Sequence, residues 1–161
     1  MLFSDRRLVT QDGREVAFYS DVLKDRVVLL SFVFTHCTDA CPTQSAKVAA
    51  VQALTGASDP MLRFVSISVD PERDTPAALA AYAANFGAGP NWTFLTGRKG
   101  DVDDVLRRLG QPTVDPALHR TLFIAGNAAT GHWLRVHPDA TPAFIAAQLR
   151  SLAAESGSDN R

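Results

Sequence analysis

Apolar and polar positions alternate from Arg7 to Tyr19, in "RLVTQDGREVAFY", and the alternation turns about Asp12-Gly13. A two-residue period with Asp-Gly at its centre predicts a β-hairpin. The next stretch, "RVVLLSFVF" (26–34), abandons the alternation and is apolar almost throughout. Such a run predicts a strand covered on both faces. Around Cys41-Pro42 a helix is expected to start and to continue through "TQSAKVAAVQAL", before a second apolar strand, "LRFVSISV" (62–69). Thr75 and Pro76 predict the capped start of another helix, and Gly87 its end.

The second half is made of shorter pieces. "WTFL" (92–95) predicts a strand, and "DVDDVLRRLG" (101–110) a helix capped by Asp101 and stopped by Gly110. "RTLFIAG" (120–126) and "HWLRV" (132–136) flank a turn at "NAATG" and predict an antiparallel pair; the last helix opens at Thr141-Pro142. The order is a hairpin, then βαβα, a small βα insertion, and ββα. It predicts an α/β fold, a central mixed sheet flanked by helices on both faces. A βαβ unit followed by a ββα unit is the thioredoxin arrangement. One domain is expected over residues 1–154, with a flexible tail over 155–161. Sheets of this kind gather ligands at the carboxyl ends of their strands, where strand meets helix.

Composition narrows the function. The chain has 161 residues, 46% apolar and 20% charged, as in globular domains. A formal net charge of −1 supplies no electrostatic reason for a nucleic-acid or anionic-membrane partner. The longest strongly apolar run, 27–34, is far short of the ~20 residues that span a bilayer. The N-terminus has no apolar core of signal-peptide length. Nothing in the pattern demands a dimer, so a monomer is expected.

The chemistry concentrates in "FVFTHCTDACPTQ" (32–44), which holds the chain's 2 cysteines, Cys37 and Cys41. A lone free cysteine often serves as a small buried hydrophobe. Two confined to one strand-to-helix turn point to reactivity instead, because a helix N-terminus favours thiolate. If Pro42 is the first helical residue, Cys41 is the N-cap and Gln44 completes a capping box. Thiol–disulfide exchange and soft-metal binding both fit. Disulfide sulfurs approach to ~2.05 Å. Two thiolates on one metal, with bonds of ~2.3 Å, stand ~4 Å apart. The spacer Thr38-Asp39-Ala40 is one residue longer than in Cys-x-x-Cys, which leans toward metal while still allowing a disulfide. A closed zinc site wants four ligands, and no further cysteine exists. Two thiolates and one histidine make a three-coordinate soft site suited to Cu(I).

Four histidines compete for the third place. His36 adjoins Cys37 at a strand end, where neighbouring side chains point to opposite faces. His132 and His137 lie on or just past the last strand and read as edge residues. His119 directly precedes "RTLFIAG", a strand expected to run beside the cysteine turn. Thioredoxin-like reductases place a proline there, and Pro116 lies too early for that part. His119 is therefore the candidate ligand, its bland alternative being a solvated loop histidine.

These residues resemble the SCO/SenC family of copper-binding thioredoxin-like proteins. The resemblance rests on "LVTQDGREVAFYSDVLKDRVVLLSFVFTHCTDACP" (8–42), "VSISVDPERDTPAAL" (65–79) and "LHRTLFIAG" (118–126). It implies copper delivery for the binuclear copper centre of cytochrome oxidase, with a thiol–disulfide role for the same cysteines in some members. It implies Cys37, Cys41 and His119 as ligands to Cu(I), with Cu(II) the alternative, and sets Asp70 in the loop beside the site. Pro71 and Asp74 read as turn formers, and Asp70 equally as a helix-entry residue. His119 is flanked here by Leu118 and Arg120, where the family carries an acidic residue and a hydroxyl; the Arg120 charge disfavours a positive ion. The implied partners are an oxidase copper-centre subunit or another periplasmic copper carrier, and a protein thiol reductant. The implied setting is the periplasmic face of a bacterial inner membrane, or the mitochondrial intermembrane space, with an N-terminal membrane anchor outside this sequence.

A copper metallochaperone is the leading expectation. The alternative is a thiol–disulfide oxidoreductase in which Cys37 and Cys41 act on the cysteines of an oxidase subunit or copper carrier. A thiol peroxidase shares the fold, but beyond Thr35, two residues before Cys37, its pattern is missing.

Overall fold

The hairpin forms about Asp12-Gly13: β1 (Arg7–Thr10) and β2 (Glu15–Ala17) pair antiparallel with Leu8 opposite Val16. Gly13 supplies the positive φ, 81°, that closes the turn. The computed structural model describes residues 4–35, 40–56, 61–110 and 122–155. Beyond the hairpin it contains β3 (Val27–Val33), α1 (Ala40–Thr55), β4 (Leu62–Ser68), α2 (Pro76–Asn85) and β5 (Trp92–Thr96). These are followed by α3 (Lys99–Arg108), β6 (Phe123–Asn127), β7 (His132–Val136) and α4 (Pro142–Ala154). The strands form one mixed 7-stranded sheet in the order β2-β1-β5-β4-β3-β6-β7. β3, β4 and β5 are parallel; β6 runs antiparallel to β3, β7 to β6, and β1 to β5.

Every residue of β3 is buried, as its unbroken apolar run requires. Its alternate side chains feed two cores. Val27, Leu29 and Val33 pack with Val48 of α1, Leu79 and Tyr82 of α2, and Ile145 and Leu149 of α4. Val28, Leu30 and Phe32 pack with Val102, Val105 and Leu106 of α3. Both parallel crossovers, through α1 and α2, step the same way across the sheet, so right-handedness puts both helices on one face. The βα unit expected after α2 is β5–α3, and β5 extends the sheet beside β4.

Local chemistry sets most ends. Thr75 and Thr141 cap α2 and α4, their hydroxyls accepting from Ala78 N (3.2 Å) and Phe144 N (3.1 Å), with proline next in each helix. Three boundaries differ from the sequence expectation. Strand pairing stops at Ala17, and Phe18–Leu23 winds into a short π-helical segment. There the Asp5 carboxylate accepts from Tyr19 N, Ser20 N and the Ser20 hydroxyl at 2.6–2.9 Å, and Asp21 accepts from Ala17 N at 2.7 Å. α3 starts at Lys99, so Asp101 lies inside its first turn rather than at the cap. A carboxylate is favoured there by the helix dipole, and Asp101 also meets Arg6 at 3.3 Å. Finally, α1 starts at Ala40, so Cys41 is not the N-cap. Proline fits any first-turn position, where its missing N–H is not needed, and Pro42 therefore does not mark the first helical residue.

Candidate metal centre

β3 leaves the sheet at Val33, and Phe34 and Thr35 carry the chain on toward the cysteines. Cys37 lies in 36–39, outside the described residues, as does His36. The chain is described again from Ala40, which puts Cys41 in the first turn of α1. The two ends of the segment are thus the carboxyl end of a central strand and the amino end of a helix.

Asp74 holds the strand side. It is fully buried, at 0% exposure. Its carboxylate accepts from the Thr35 hydroxyl at 2.6 Å, from Thr35 N at 3.2 Å to each oxygen, and from the Ser68 hydroxyl at 2.8 Å. One side chain therefore joins the exits of β3 and β4. Charge-assisted bonds of this kind are about twice as strong as neutral ones. Sequence reasoning took Asp74 for a turn former and missed this. The available signal was two hydroxyls, Thr35 and Ser68, at the ends of adjacent apolar strands, with an aspartate in the loop that follows, where an unpaired hydroxyl or carboxylate is costly.

Asp70 stands at the same end of the sheet. Val69 N donates to Val33 O at 2.8 Å, which sets Asp70 next to the exit of β3. Asp70 N donates to the Ser68 hydroxyl at 3.0 Å, and Asp70 O accepts from Arg73 N (3.1 Å) and Asp74 N (2.9 Å). Its own carboxylate is mostly buried and lies 3.8 Å from Arg73 Nε. The turn-forming role expected of it is present.

The helix side is held from below. The Ser45 hydroxyl and Tyr82 hydroxyl share a 2.8 Å hydrogen bond, and Lys47 Nζ donates to Pro138 O at 2.6 Å. Gln44 does not form the capping box, since α1 begins two residues earlier than that box requires. It is buried instead, with Oε1 lacking a hydrogen-bond partner among the described residues.

His119 lies in 111–121, outside the described residues, together with Pro116, Leu118 and Arg120. The strand after it is described from Phe123, with Leu30 opposite Ile124. Carrying that register two places on sets Leu122 beside Phe32, so β6 enters the sheet where β3 leaves it. His132 and His137 are edge residues as expected. His132 Nδ1 is 2.9 Å from Glu155 Oε1, and His137 Nδ1 accepts from Asp139 N at 3.0 Å. Among the described residues no three His, Cys, Asp or Glu side chains cluster to hold a metal, and no helix is long and apolar enough to cross a membrane.

A family model described as SCO1/SenC matches residues 3–116, a span that includes both cysteines and Asp70 and stops short of His119. The SCO1 protein homolog of Bacillus subtilis is 42% identical over 88 residues, covering 54% of this chain and 45% of that protein. The chain thus spans about half the length of the curated bacterial relatives it matches. The structure of Bradyrhizobium japonicum ScoI with copper bound superimposes with TM-score 0.77 at 29% identity, covering 93% of this chain and 99% of that one. BsSco, described with a disulfide switch and as a member of the Sco family of cytochrome c oxidase assembly proteins, matches at 28% identity and TM-score 0.76 over 94% of each chain.

Proposed function

The chain belongs to the SCO1/SenC family, and from that premise we propose that it is a copper metallochaperone. Cys37 and Cys41 bind Cu(I) as thiolates and His119 completes a three-coordinate site. Asp70 and Asp74 support the cysteine segment. The ion is cargo, passed by ligand exchange toward the binuclear copper centre of cytochrome c oxidase, on an oxidase subunit or another copper carrier.

One observation carries this reading: the exit of β3, the first turn of α1 and the entry of β6 lie at one end of the sheet's strands. Cys37 is two residues beyond Thr35 and His119 three before Leu122. The donor set fits the ion, since two thiolates and an imidazole form a soft, low-coordinate site. Loading requires a reduced pair and releases the thiol protons. A protein reductant therefore has to supply two electrons whenever the pair has closed to a disulfide.

Anaerobic titration of the reduced chain with Cu(I), against a competing chelator, tests this. One copper per chain is expected, with marked weakening in Cys37→Ser, Cys41→Ser and His119→Ala. A stoichiometry well below one, or an unweakened His119→Ala, would sink the proposal.

The disulfide switch of BsSco favours a second reading for the same cysteines, thiol–disulfide exchange with an oxidase subunit or copper carrier. Strong insulin reduction, with negligible copper affinity, would put that reading first. A pair that cycles through a disulfide fits an oxidising compartment, and we place the protein, membrane-anchored, on the periplasmic face of a bacterial inner membrane. Protease accessibility in spheroplasts checks the placement.

A further inference from the structure

The two faces of the sheet are unequally covered. α1, α2 and α4 contribute to the core on one face, while the other has α3 and the π-helical segment. On that second face, at the amino ends of β4 and β5, lies a cavity of about 450 Å³. Its lining includes Arg14, Arg26, Arg63, Thr93, Glu15 and Asp21. Because β3 leaves the sheet at the other end, this cavity is remote from Thr35 and the first turn of α1.

The charges in it are poorly matched. Arg63 sits on a central strand, opposite Val28 of β3, and is only partly exposed. Among the described residues its guanidinium has no hydrogen bond or ion pair, and neither has that of Arg14. Arg26 Nη1 donates to two carbonyls, Asp21 O at 2.8 Å and Val22 O at 3.2 Å, which leaves its charge unneutralised. The two acids of the lining are engaged elsewhere: Asp21 accepts from Ala17 N at 2.7 Å, and Glu15 faces Arg7 at 3.8 Å. Burial, and then the nearby Arg26 charge, push the pKa of Arg63 down. A guanidinium held on a strand without a counter-charge costs stability, and an anion in the cavity would relieve that cost.

We propose that the cavity is a binding site for a phosphate ester, gripped by Arg63 from β4, by Arg26 from the turn before β3 and by Arg14 from the hairpin. Guanidinium forks match the oxygens of a phosphate group. The volume exceeds what a bare oxyanion fills and lies in the range of small-molecule sites, ~300–1,000 Å³. The ester is the phosphodiester of a lipid headgroup or a soluble phosphate metabolite; the recognised chemistry is the same. The site does not depend on the copper reading, and its failure would leave that reading intact.

Titrating the ¹⁵N-labelled chain with glycerol 3-phosphate, at ionic strength matched with chloride, tests it. Saturable shifts are expected at the Arg63 and Arg26 side-chain N–H resonances. Arg63→Gln should weaken binding about tenfold or more. In chloride alone its melting temperature should hold or rise, because one of two neighbouring like charges is gone. Arg14→Gln, on the exposed hairpin, repeats the affinity test should the first variant fold poorly. Flotation with phosphatidylglycerol vesicles, abolished by the same substitution, assigns the lipid headgroup; a positive titration without flotation assigns a soluble ester. No saturable shift beyond that in chloride, or full affinity in both variants, overturns the proposal.

Discussion

Replacing Asp74 by alanine should unfasten Thr35, two residues before Cys37, from the exit of β4. The carboxylate is fully buried and serves three donors: Thr35 N, the Thr35 hydroxyl and the Ser68 hydroxyl. A hydrogen bond to a charged group contributes about 1.5–3 kcal/mol, and a buried donor left alone costs about 1–3 kcal/mol. Three independent bonds would then sum to about 5–9 kcal/mol. They are not independent, because they share one carboxylate whose own desolvation already opposes them. The expected loss is therefore about 3–5 kcal/mol, below the additive sum because removing the carboxylate also removes its desolvation cost. For a chain of this size that corresponds to a fall of roughly 6–20 °C in Tm. Urea unfolding of the reduced, copper-free protein measures the loss. Hydrogen exchange at the Thr35 amide locates it, since that amide should be protected in the parent and exchange freely in the variant. Asp74→Asn keeps the shape but turns an NH2 toward donors, and should recover only part of the stability. A loss under about 1 kcal/mol in Asp74→Ala, where typical buried networks cost more, would refute the clamp.

Three further outcomes can be checked. A methyl group on Gly126 would run into the ring of Trp133, its cross-strand partner; Gly126→Ala should cost about 1–3 kcal/mol by overpacking and shift the tryptophan fluorescence. Thr141→Ala removes the cap of α4 and should cost about 1 kcal/mol, read as a lowered urea midpoint with unchanged m-value. The Ser20 hydroxyl first, then the Ser20 amide, hold the Asp5 carboxyl below its ordinary value of 3.8. A carboxyl lowered in the folded state stabilises fully above its unfolded pKa, and that contribution fades as pH falls through the lower folded value. Stability differences between the parent and Asp5→Asn should accordingly be constant near neutrality and shrink below about pH 4; a difference that grows on acidification would contradict the bonding of Asp5 to Tyr19 and Ser20.

Elements were legible wherever the deciding chemistry is local. β3 and β4 were readable to within a residue because unbroken apolar runs have few other fates. The caps of α2 and α4 were readable because a threonine hydroxyl reaches an amide three residues on. The π-helical segment was not, because Asp5 shapes it from 14 residues away. The candidate ligands Cys37, Cys41 and His119 came from residue type, spacing and family resemblance. Of these, the described residues include only the helical position of Cys41.

The sequence by itself determined the order of elements, the family and the concentration of soft donors after a central strand, because each depends on neighbours along the chain. Only the tertiary structure decided that Asp74 reaches Thr35 across 39 residues, and that Arg14, Arg26 and Arg63 line one cavity. Parallel pairing of β3 with β4 makes the first, and the uneven covering of the sheet makes the second. Neither leaves a periodic trace in the chain, since a contact between distant residues is set by strand order and register rather than by spacing.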